Sequence, residues 1–136
     1  MTFAKLSATA IGVIFACSLS VKAQTVDPDI KRSVRQCQGA DCRTIAVRAA
    51  REIKKQGLSA EEHNSQIGVL AGLLFERARG DTSPRAGRDA ARAIESLAAY
   101  SSDPLQRKSL LNIAKAIRTG IASELDLDLP VAASPS

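Results

Sequence analysis

From Asp27 to Gly120 the apolar residues recur at intervals of three and four rather than two, which is the period of a helix packed on one side. Asp27-Pro28 has the form of an N-cap followed by proline at the first helical position, and opens a short helix to about Gln36. A second segment runs from about Cys42 to Gln56, with Asp41 as its expected cap. Ile45, Ala49 and Ile53 mark its inner side, with Ala46 and Ala50 alongside, and Gly57 follows as a stop. Ser59-Ala60-Glu61-Glu62 is a capping box; the helix behind it places Ile67, Leu70, Leu74 and Ala78 on one face and closes at Gly80.

Ser83-Pro84 starts the next helix, with Ala86, Ala90, Ala93, Ile94 and Leu97 inward. Asp103-Pro104 starts the last, with Leu110, Ile113, Ala114, Ile117 and Ile121 inward and Gly120 near its end. No part of this region alternates as a strand does, so the fold class is all-α. Short connections make neighbouring helices antiparallel, giving a small bundle of about four antiparallel helices over residues 41–121, preceded by the short helix and turn of 24–40. Helix starts near 41, 59, 83 and 103 are unevenly spaced and their contents do not match, which excludes a repeat array. Gly68 and Gly72 lie four apart within one helix, a spacing that lets a neighbouring helix approach closely.

The N-terminus departs from this pattern. Between Lys5 and Lys22 lie 16 uncharged residues, short for a helix crossing a hydrocarbon core of about 30 Å. Val21-Lys22-Ala23 approximates a cleavage site, so residues 1–23 read as a signal peptide cut after Ala23, and the product as periplasmic or secreted. An uncleaved anchor is the alternative. Ile14-Phe15-Ala16-Cys17 resembles a bacterial lipoprotein box, with Phe15 departing from the usual small residue; lipidation at Cys17 is what that resemblance implies.

Export changes the reading of the other two cysteines. Cys37 and Cys42 meet an oxidising compartment, where a nearby pair closes. Residues five apart in a continuous helix have Cα atoms roughly 8–9 Å apart, whereas a disulfide tolerates at most ~7 Å. The helix must therefore break between them, and Gly39 is placed to break it. Zinc would have only His63 to add to the pair, and the Cys-x-x-Cys spacing of redox catalysts is missing, so neither metal nor cofactor is expected.

Composition adds limits. The chain of 136 residues carries 19 Lys+Arg and 14 Asp+Glu, for a formal charge of +5, with 3% aromatic residues, no Trp and one His. Cleavage after Ala23 would leave 113 residues and a charge of +3. So few aromatics argue against a stacking platform for single strands, and no nucleic acid partner is expected. No pair of carboxylates at productive spacing and no glycine-rich phosphate loop occurs. His63, in the first turn beside Glu61 and Glu62, reads as a surface histidine, and an enzyme of unknown class is the third reading of the chain.

Charge is unevenly spread. From Lys31 to Lys55 there are eight basic residues and two acidic ones. Arg48, Arg51 and Lys55 fall on one helix face, with Lys54 beside them and Arg43 and Lys31 nearby. That face is expected to bind an acidic protein or an anionic envelope component; its alternative is a solvated face complementing the helix dipole. The leading reading is an exported, non-enzymatic helical protein of the bacterial envelope. A membrane-surface protein, lipidated at Cys17 or bound to anionic lipid, is the second. The tail, 122–136, alternates Glu124, Asp126 and Asp128 with Leu125, Leu127 and Leu129 and reads as a mobile acidic end; the alternatives are that it lies over a groove by its three leucines, or folds back to mask the basic helix.

Overall fold

The computed structural model describes residues 26–81 and 83–120. The expected signal peptide, Cys17, Ile121 and the acidic tail lie outside them. The described residues form five helices and no strand: α1 (Pro28–Gln36), α2 (Asp41–Lys55), α3 (Ala60–Gly80), α4 (Pro84–Ala98) and α5 (Pro104–Arg118). None is long and apolar enough to cross a membrane.

The helix starts form where local chemistry demands them. The Asp27 carboxylate accepts from the Asp29 N–H, the Ser83 hydroxyl from Ala86 and the Asp103 carboxylate from Leu105, each ahead of a proline whose missing N–H costs nothing there. At α3 the Ser59 hydroxyl accepts from the Glu62 N–H, while the Ser59 N–H donates back to Glu62, completing the capping box.

The disulfide region also follows its geometry. Cys37 and Cys42 are bonded with Cα atoms 4.9 Å apart, much closer than one helix would hold them. The chain turns between them through Gly39 at φ +58°, a conformation in which a Cβ is penalised. The expectation for Asp41 fails. It is the first helical residue rather than the cap; Ala40 takes the cap position with no side-chain acceptor. The turn itself takes up the backbone N–H groups there, that of Asp41 donating to the Gln38 carbonyl and that of Cys42 to the Gly39 carbonyl. Asp89 of α4 lies beside the turn, its Oδ2 4.0 Å from where a Gly39 Cβ would stand. Its charge complements the uncapped start of α2 across space.

α4 is the hub, packing on α2, α3 and α5, while α1 rests on α2 and α3. Ala90, Ala91, Ala93, Ile94, Leu97 and Ala98 are all buried, so small side chains bring three helices close to one. α2 contributes Ala46, Ala50 and Ile53; Ile45, expected inward, is half-buried at the edge of that face. α3 contributes Ile67, Leu70, Leu74 and Phe75, and α5 Leu110, Ile113, Ala114 and Ile117. The close approach expected at Gly72 is absent, since a Cβ there would meet nothing within 4 Å. It occurs instead at Gly87, where a Cβ would stand 3.6 Å from Ile117.

Residue pairs fix which ends meet. Arg43, in the first turn of α2, reaches Ser96. Arg51 reaches Tyr100, so the basic end of α2 lies by the end of α4. The start of α3 lies there too, because His63 reaches Tyr100. Gly87 and Ile117 bring the end of α5 to the start of α4. α2 and α5 do not touch.

Candidate functional site

The exposed side of α2 carries the charge that its sequence spacing implies. Arg43, Arg48, Arg51 and Lys55 line one shallow groove of about 570 Å³, together with Thr44, Val47 and Glu52. Arg48, Arg51 and Lys55 converge because three- and four-residue steps return to the same side of a helix, while Ala46, Ala50 and Ile53 hold the opposite side in the core. Lys31, half-buried on α1, and Lys54 are not part of the lining.

The cations are not equally available. The Arg43 Nε–H donates to Ser96 Oγ at 3.1 Å and the Arg51 Nε–H to the Tyr100 hydroxyl at 3.2 Å, so both guanidinium planes are oriented by α4 and its turn. Lys55 pairs with Glu52 at 2.7 Å, an exposed pair worth well under ~1 kcal/mol. Arg48 and Lys54 make no side-chain hydrogen bond or ion pair among the described residues. The groove thus presents one uncommitted guanidinium, two fixed at one edge, and an ammonium that an anion could draw away from Glu52.

His63 differs from its expectation. It is half-buried, and Nε2 lies 2.8 Å from the Tyr100 carbonyl, to which its N–H donates. Beside it Asn64 is buried: its Nδ2 donates to Ser102 Oγ at 2.9 Å, and its Oδ1 accepts from the Ser102 N–H at 3.0 Å. The Gln106 amide donates to the Asn64 carbonyl at 2.7 Å, and Arg107 to the Ser101 carbonyl at 2.8 Å. These groups satisfy the backbone of the α4–α5 turn; the histidine is spent as a clasp. No three His, Cys, Asp or Glu residues among the described ones are grouped to hold a metal ion.

A second cationic groove escaped the sequence, because its residues come from three helices. About 670 Å³ in volume, it lies where α3 ends, α4 starts and α5 ends, and Arg79, Arg88, Arg92 and Arg118 line it. Arg118 forms a two-pronged ion pair with Glu95, and Arg79 pairs with Glu76 at 3.5 Å. Asp81 is the one acidic residue of the lining among the described residues. The backbone N–H of Ser83, then the Ser83 hydroxyl, hold its carboxyl below the usual carboxylate range, with Arg77 adding to the effect against a small desolvation penalty.

Family models, curated proteins and solved structures were all compared with the chain. None matches it.

Proposed function

We propose that this chain is an exported, non-enzymatic binding protein of the bacterial envelope. In this reading a signal peptide ending at Ala23 precedes a bundle of four antiparallel helices, and the α2 groove receives an acidic protein or anionic envelope component. The supporting observation is the convergence of Arg43, Arg48, Arg51 and Lys55 on one groove, with the Arg48 charge unspent. Fixed guanidinium planes at one edge favour carboxylate or phosphate groups, which they meet through paired N–H donors.

Poly-L-glutamate and lipid vesicles are suitable probes. The full chain is expected to bind the polyanion with an affinity that falls as salt is raised, since the charges are exposed. The Arg48→Ala/Arg51→Ala/Lys55→Ala variant should bind more weakly and with a flatter salt dependence. Unchanged binding overturns the α2 assignment. Flotation with anionic but not neutral vesicles, together with a lipid adduct on Cys17, moves the reading to a membrane-surface protein. An intact mass beginning at Gln24 supports export.

A further inference from the structure

We infer that the cationic groove between α3, α4 and α5 is the docking site of this chain's own acidic segment, residues 124–129. The described residues end at Gly120, which itself lines the groove, and 16 more follow in the sequence. Those sixteen carry Glu-Leu-Asp-Leu-Asp-Leu at positions 124–129 and no basic residue.

Three observations choose this occupant. The first is unsatisfied charge. Arg88 and Arg92 stand one turn apart on α4, both exposed, and neither makes a side-chain hydrogen bond or ion pair among the described residues. Like charges at that spacing repel, and an anion between them removes the repulsion. Asp81, the acid of the lining, is already held by Ser83.

The second is period. One helical turn separates the two arginines by about 6 Å along α4. Alternate residues of an extended chain are about 6.5–7 Å apart and share a side. Glu124, Asp126 and Asp128 in that form meet the arginines in step, and Leu125 and Leu127 turn the other way. The groove offers them apolar surface at Ile117 of α5, across from the arginines.

The third is reach. Four to eight residues beyond Gly120 span at most about 14–28 Å at full extension. The arginine groove begins at Gly120 itself. The α2 groove starts at Arg43, which reaches Ser96 one turn beyond Arg92, so on a path along α4 from Gly120 it comes after both arginines. An acidic segment rooted at Gly120 meets Arg88 and Arg92 first.

Amide hydrogen exchange on the full chain tests this. Amides within 121–130 should be protected at low salt and lose that protection as salt is raised toward about 0.5 M, where screening is nearly complete. Arg88→Gln/Arg92→Gln should abolish the protection, and so should Glu124→Gln/Asp126→Asn/Asp128→Asn; the α2 triple-alanine variant should retain it. A synthetic peptide of residues 122–130 should bind the tail-neutralised chain on the order of tenfold more tightly than the natural chain, because the tethered segment competes at millimolar effective concentration. Protection that survives the Arg88/Arg92 change overturns the proposal. So does protection lost in the α2 variant, or protection that rises with protein concentration, which would place the segment on a second copy. Failure of polyglutamate to bind α2 leaves these readouts unmoved, so this proposal and the proposed function fail separately.

Discussion

At the end of α4 near Tyr100, polar groups are spent on one another; at its start near Gly87, guanidinium groups face open space. The first end holds His63, Asn64, Ser101, Ser102, Gln106 and Arg107 in a network that satisfies the turn into α5. Ser101 is only 2% exposed, yet its hydroxyl has partners. The other end is held covalently and by packing: the Cys37–Cys42 loop lies beside Asp89, and Ile117 sits against Gly87. Its arginines are left over from that work. Closed polar networks fix a fold, and uncommitted charge beside them is where a ligand finds purchase.

The largest test of this contrast breaks the closed end. Asn64→Ala removes the hydrogen bonds that Asn64 makes to Ser101 and Ser102, each worth about 0.5–1.5 kcal/mol, so unfolding stability should fall by about 1–3 kcal/mol in urea titration. A loss below about 0.5 kcal/mol would mean that the network is ornamental.

Reduction acts at the opposite end. Opening a loop of this length should cost about 2 kcal/mol in the chain-entropy account. Exchange should rise in the first turn of α2 while amides at 101–107 stay protected; a uniform rise would show that the two ends are not independent.

Gly87→Ala sharpens the contrast in the other direction. The added methyl stands 3.6 Å from Ile117, ordinary contact, and alanine is the better helix former. Stability should rise by about 0.5–1 kcal/mol, read as a higher denaturant midpoint.

The smallest effect belongs to Asp81. Its carboxyl is held below the ordinary value of 3.8, so its contribution is present above that pH and lost as pH falls through the depressed folded value. Asp81→Asn should lower stability near neutral pH and lose that deficit once the pH has fallen below the depressed folded value. A deficit equally large in acid would assign the residue a role other than charge.

Much of the fold was legible because its determinants are local. Ser59, Ser83-Pro84 and Asp103-Pro104 act within four residues, and the helix break at Gly39 follows from what a disulfide permits. Arg48, Arg51 and Lys55 gather in one groove because helical spacing decides that, whereas Arg43 joins them with its guanidinium held by Ser96 of α4. What stayed hidden depends on chain segments distant in sequence. His63 meets a carbonyl 37 residues away and Asn64 a turn 38 away, which no periodicity encodes. Asp41 lies inside α2 because the turn from Gln38 already bonds its N–H, and Arg88 joins Arg118 only once α5 has folded back onto α4.

Tyr100 sits where three helices meet, with its hydroxyl taken by Arg51 of α2 and its carbonyl by His63 of α3. The chain has no tryptophan and no other tyrosine. Its intrinsic ultraviolet emission therefore comes from one residue at that junction. The protein carries a label-free optical gauge there, able to follow in real time whether α2 stays seated on α4 while its outer face is occupied.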